Sequence, residues 1–204
     1  MTPQKAAAPR TVTQGALAHS QILDAAEELF YQEGARSSGI DAVVKRAGVN
    51  KMSLYRQFES KDDLLKQYLQ RRDEKFLAYL HASLDKHPGQ PRRQLEQFFT
   101  DLAARTATPG YRGCPFVNIA AEFPDTEHFA RQMVAGNKAR LLATLTELAQ
   151  AAGASDAPGL AAGLALLIEG AYTASQTYAP GNSLLPALPL VAKILLDAAL
   201  PANT

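Results

Sequence analysis

Apolar residues recur every three to four positions along this chain, and no segment alternates with period two for long enough to make a strand. Leu17, Ile22, Leu23, Ala26, Leu29 and Phe30 lie on one helical face that Gly34 stops. Ile40, Val43, Val44 and Ala47 repeat the pattern in a shorter helix, and Gly48 is free to take the left-handed cap position. Asn50 can cap a third helix whose inward residues are Leu54 and Phe58. Ser60 then opens a long helix, with Asp63 completing a capping-box pattern, and Leu64 to Leu84 carry it to the break at His87-Pro88-Gly89. Beyond the break, helices are expected around Leu95–Leu102, from Pro115 to about Glu122, from about Asp125 to Ala152, from about Ser155 to Tyr178, and from about Ala187 to Leu200. The expected fold is all-α, with about nine helices.

The run from Gly34 to Leu65 carries the functional signal. Its second short helix leaves Lys51, Ser53, Tyr55 and Arg56 free of the apolar face. A helix this short adds little stability of its own and makes sense as something presented to a partner. In a DNA reader the second helix of such a pair enters the major groove. Tyr55 brings a hydroxyl suited to a phosphate oxygen. Lys61, in the first turn of the following helix, is badly placed for the helix dipole unless a phosphate docks there. Charge agrees with this reading: residues 1–72 hold 11 Lys/Arg against 8 Asp/Glu, and residues 73–204 hold 10 against 12.

These residues resemble a known family. Gly34, Ile40, Val43, Ala47-Gly48-Val49 and then Leu54-Tyr55-Arg56-x-Phe58-x-Ser60-Lys61-x-x-Leu64 are similar in order and spacing to the N-terminal domain of the TetR family of bacterial transcriptional regulators. The resemblance covers roughly residues 16–66. It implies a homodimer on a palindromic double-stranded DNA operator, released by a small-molecule effector, most simply as a repressor. Its DNA-contact positions carry over to Ser38, Lys51, Ser53, Tyr55, Arg56 and Lys61. The chain departs from the family pattern at Gly39, where Ser or Thr is usual, and at Met52, where a small residue is usual. The implied organisation is a flexible arm over residues 1–15, a three-helix DNA-binding domain over 16–66, and a larger effector-binding and dimerisation domain over 67–204.

The remaining chain resembles the family only in architecture, so its site must come from residues. Phe98, Phe99, Phe116, Phe129 and Tyr172, with Asn118, Glu122 and Gln176, are candidates for an apolar effector pocket with a few polar groups. Aromatic residues at helical spacing also serve simply as core. Cys114, at a helix N-terminus near Arg112, is a candidate redox sensor, against the alternative of a small buried hydrophobe. The segment GLAAGLALLIEGAYTAS over residues 159–175 is apolar on almost all sides and must be covered on more than one face. The helices near 155–178 and 187–200 are therefore expected to form a two-fold dimer interface, unless one domain encloses the first of them.

Other classes find little support. His19, His81, His87 and His128 lack metal-ligand spacing, and neither a Gly-rich phosphate loop nor a Ser/His/Asp signature is evident. No cofactor, metal or catalytic activity is expected. A single cysteine suits a reducing interior. The chain shows neither a signal peptide nor a run of about 18 apolar residues, so a cytoplasmic protein without a membrane partner is expected.

Overall fold

A computed structural model describes residues 14–179 and 181–201. Among these the chain forms nine helices and no strand: α1 (Gln14–Gln32), α2 (Ile40–Ala47), α3 (Lys51–Tyr55), α4 (Lys61–Leu84), α5 (Pro91–Thr106), α6 (Pro115–Glu122), α7 (Phe129–Ala151), α8 (Ala157–Thr177) and α9 (Leu184–Ala199). The chain divides into two compact units, Met1–Tyr68 and Leu69–Thr204, and the division falls inside α4, two residues beyond the expected boundary. All but the end of the expected N-terminal arm lies outside the described residues, as do Lys5 and Arg10.

The first unit is a three-helix arrangement closed by the start of α4. Ile22, Ala26, Leu29 and Phe30 of α1 are buried with Val43, Leu54, Phe58, Leu64, Leu65 and Tyr68. Phe30 meets Tyr68 edge-on at 5.5 Å, and His19 stacks on Phe58 at 4.7 Å while its Nε2 bonds Gln67 Oε1 at 2.9 Å. The helix ends follow the expected chemistry. Gly48 adopts φ 68°, and the Val49 N–H donates back to the Val44 carbonyl. Asn50 Oδ1 accepts from the Ser53 N–H at 2.8 Å. Ser60 Oγ accepts from the Asp63 N–H at 3.1 Å, and the Asp63 carboxylate accepts from the Glu59 N–H.

In the second unit α8 packs on α7 and α9, and α5 packs on α7 and α9. Leu95, Phe98, Phe99 and Leu102 of α5, Leu141 and Leu145 of α7, Leu160, Leu164 and Ile168 of α8, and Ala192 and Leu196 of α9 make the core. Two helix starts differ from expectation. Asp125 to His128 form a turn rather than the first turn of α7, because Asp125 Oδ1 accepts from the Glu127 N–H and His128 Nδ1 then caps Ala130. The last helix begins at Leu184, three residues early. Pro186 falls in its first turn, where no backbone donor is needed, and Pro189 leaves the Leu185 carbonyl without an intrahelical partner. By length and hydropathy α8 could cross a membrane. One face of it, with Leu160, Ala161, Leu164, Ile168, Ala171 and Tyr172, is buried in this unit, and Glu169 on it pairs with Lys138.

Asp101 ties the end of α4 to α5. It accepts from Ser83 Oγ at 2.7 Å, from Lys86 Nζ at 2.7 and 2.8 Å, and from Gln97 Nε2 at 2.9 Å. Burial alone would raise its pKa, but these donors outweigh burial and hold the carboxyl below its ordinary value. A carboxyl depressed in the folded state stabilises the fold above its unfolded pKa of ~3.9, and the contribution is lost as pH falls through the lower folded pKa. Asp101→Asn should therefore destabilise the protein near neutral pH by about 1–3 kcal/mol and shrink the acid-induced loss of stability. Denaturant unfolding at neutral and acid pH reads both effects; an unchanged pH profile would remove Asp101 from this role.

Candidate nucleic-acid interface and interior cavity

The exposed side of α3 is built by what its other side buries. Leu54 is fully buried and Phe58 nearly so, which turns Lys51, Met52, Tyr55 and Arg56 outward. Met52 is 66% and Tyr55 50% exposed, unusual for large apolar side chains on a short helix. Lys51 Nζ lies 2.9 Å from Asp41 Oδ1 of α2, an exposed pair that a phosphate can displace at little cost. Ser53 is half-buried beside the cap. An open groove runs between the start of α1 and α3, lined by Leu17, Ala18 and Gln21 on one side and by Asn50, Ser53, Arg56 and Gln57 on the other. Gln21 and Gln57 were not singled out from sequence; their signal is a lone polar residue at the groove edge, which becomes visible only once α1 and α3 are placed side by side.

Two expected contact residues are used differently. Ser38 is 2% exposed and its hydroxyl donates to the Gly34 carbonyl at 2.7 Å, so it fastens the turn after α1 rather than facing a phosphate. Gly39 is the N-cap residue of α2, without any side-chain bond. Lys61 is the first residue of α4 and its Nζ donates to the Arg36 carbonyl at 3.2 Å. That bond explains part of its position without DNA, while Asp62 and Asp63 balance the cation in the same turn.

The second unit contains a cavity of about 60 Å³ lined by Arg72, Lys75, Phe76, Arg105, Tyr111, Cys114, Pro115, Phe116, Asn137, Lys138, Leu141 and Tyr172. Of the eight expected pocket residues only Phe116 and Tyr172 line it. Phe98 and Phe99 are fully buried and pack edge-on at 5.7 Å, as core. Asn118 donates to the Arg112 carbonyl at 2.9 Å and accepts from Gln176 Nε2 at 3.2 Å, so this pair links α6 to α8. Glu122 and Phe129 do not line the cavity, and the Phe129 ring sits 4.6 Å from that of His128. The loop before α6 presses closely on α8: a Cβ at Gly113, whose φ is 68°, would stand 3.0 Å from the Tyr172 carbonyl. Missed from sequence were the cations, because Arg72, Lys75, Arg105 and Lys138 are spread over three helices.

Cys114 caps α6 by position but makes no side-chain cap bond. It is 7% exposed, and its sulfur lies 3.8 Å from Lys138 Nζ, which also bonds Glu169. Lys138 Nζ stands 5.4 Å from the centre of the Tyr172 ring. Burial pushes the Tyr172 phenol well above its ordinary pKa, and the neighbouring Cys114 and Tyr111 push in the same direction. No group of three or more His, Cys, Asp or Glu among the described residues could hold a metal ion.

Sequence comparison places both units. The pattern of bacterial regulatory proteins of the tetR family matches residues 22–68, and that of the tetracyclin repressor-like C-terminal domain matches residues 89–185. A crystal structure of a TetR-family transcriptional regulator from Streptomyces coelicolor is 30% identical, covers 90% of this chain and 96% of that one, and superposes with a TM-score of 0.86. The chain belongs to the TetR family. An uncharacterized HTH-type transcriptional regulator of Mycobacterium tuberculosis is 44% identical over 55 residues, 27% of each chain. The HTH-type transcriptional activator FasR of Mycolicibacterium smegmatis is 38% identical over 64 residues, 31% of this chain and 29% of that one. The matched part is thus just over a quarter of these two relatives' length. TetR-family proteins are DNA-binding transcriptional regulators rather than enzymes.

The burial of Cys114 removes the exposure on which a sensing role depends. Iodoacetamide at neutral pH should modify it at least about tenfold more slowly in the native protein than in denaturant. Equal rates would show an open thiol and restore the redox reading.

Proposed function

We propose that the protein is a ligand-responsive, sequence-specific transcriptional regulator that acts as a repressor, a homodimer that occupies a palindromic operator until a small effector enters its second unit. One observation carries the DNA-reading half: Lys51, Met52, Tyr55 and Arg56 stand exposed on a five-residue helix held from behind by Leu54 and Phe58. Its N-terminal residues suit base edges, with Lys51, Ser53 and Arg56 as the readers and Tyr55 and Lys61 on phosphates. Ser38 is not among the proposed contacts, since its hydroxyl is committed to the backbone.

The homodimer rests on α8 and α9. Leu166, Tyr178, Leu184, Leu190, Val191 and Ile194 are all exposed, and Leu166, Gly170, Tyr178, Leu184 and Val191 border one apolar groove between the two helices. A patch of this kind on a single chain marks an interaction surface. A two-fold pairing would cover it with its own copy and set two reading heads for a palindrome. Effector binding then releases DNA only through its difference in affinity between the DNA-bound and free conformers.

Arg56→Ala should cost roughly 1–3 kcal/mol at one operator position if Arg56 reads guanine, with little loss on operators altered there. Lys61→Gln should weaken all duplexes alike and reduce the salt slope by about one unit. Titrations of duplexes at several salt concentrations separate the two. Equal losses on every sequence for both variants would demote Arg56 to a phosphate contact, and no loss for either would overturn the assignment of this face.

A further inference from the structure

The cavity of the second unit has a chemistry that an apolar effector does not explain. Four of its lining residues are cationic and none is Asp or Glu. Lys138 is neutralised by Glu169, but Arg105 has no carboxylate partner among the described residues. The Arg105 guanidinium lies 4.4 Å from the centre of the Tyr79 ring, and a guanidinium at a cavity wall can present paired N–H donors to a planar two-oxygen acceptor. Tyr172 is 5% exposed and lines the same cavity. Asn137 is 4% exposed, and its Nδ2 donates to Asp73 Oδ1 at 2.8 Å. Arg105, Tyr172 and Asn137 thus bring polar groups to the wall of one small space.

Resting on the effector-responsive reading above, we infer that the effector is a short-chain carboxylate, its carboxylate held by Arg105 and the Tyr172 hydroxyl and its hydrocarbon body lying against Phe76 and Phe116. The other classes fit less well. A neutral apolar ligand would strip water from Arg105 without replacing its hydrogen bonds. A cationic ligand would meet the like charge of Arg105. Inorganic phosphate would leave the aromatic walls unmatched. Size sets a further bound, since about 60 Å³ at ~10–15 Å³ per water-sized atom holds roughly four to six non-hydrogen atoms. Tyr172 suits the task because a phenol is protonated at neutral pH, and a protonated phenol donates.

Isothermal calorimetry on the full chain tests this with three probes: butyrate, its neutral counterpart butyramide, and inorganic phosphate. Butyrate should bind at least about tenfold more tightly than either of the others. Arg105→Gln should lose at least about tenfold in butyrate affinity, and Tyr172→Phe, which removes one oxygen and keeps the ring, several-fold. Butyramide binding as well as butyrate, phosphate binding as well as butyrate, or wild-type affinity in both variants would overturn the inference. So would the absence of butyrate heat at millimolar concentration. Titration of the same samples with pooled random duplex DNA keeps the two readings apart. Protein that binds DNA but not butyrate refutes the carboxylate alone, whereas butyrate binding without any DNA binding refutes the regulator.

Discussion

The burial of Leu54 and Phe58 is the interaction on which the reading head depends. A five-residue helix cannot hold itself together in water, because nucleating a helix costs more than so few bonds return. Burying two such side chains contributes about 1.5–3 kcal/mol each, and the Asn50 cap adds about 1 kcal/mol. The same two anchors set the rotation of α3 about its axis. With Leu54 inward, Lys51, Met52, Tyr55 and Arg56 have only the outer side left. His19 closes the arrangement from α1 by stacking on Phe58 and bonding Gln67 of α4. On the proposed reading, affinity for DNA and stability of the fold would be carried by opposite faces of one short element.

The second unit solves a different problem. It half-buries two cations beside aromatic rings, pairing Lys138 with Glu169 and laying Arg105 over Tyr79. Gly113 lets the loop before α6 approach α8 more closely than a side chain would allow, which brings Cys114 and Phe116 to the same cavity as Tyr172. The outward face of α8 and α9 remains apolar, and the proposed homodimer would cover it with a second copy while the inward face serves the core. These two demands account for a stretch of sequence with few charges.

Much of this was legible in the sequence, and unevenly so. Local chemistry read well: the left-handed Gly48, the Asn50 cap, the Ser60–Asp63 pair and the Pro115 start of α6 all appear where residue type requires them. Ser38 read badly, because its burial depends on the turn that α1 and α2 make together. Phe98 and Phe99 read as pocket residues although they are core, since helical spacing cannot tell which buried face borders a cavity. Arg105 and Lys138 went unnoticed for the converse reason. Single charged residues on amphipathic helices look like solvated surface until packing brings them around one space. The start of α9 was placed late because Pro186 and Pro189 looked like a lead-in, whereas a first-turn proline is compatible with a helix.

On the proposed reading, two copies of the α3 face engage one operator together. Selection of bound sequences from random duplex DNA by the full chain, at physiological salt, tests it most directly. The expected product is a palindrome whose half-sites lie at least about one helical turn (~34 Å) apart. Recovery of no enriched sequence, even at low salt, or of a single unrepeated half-site, would contradict it.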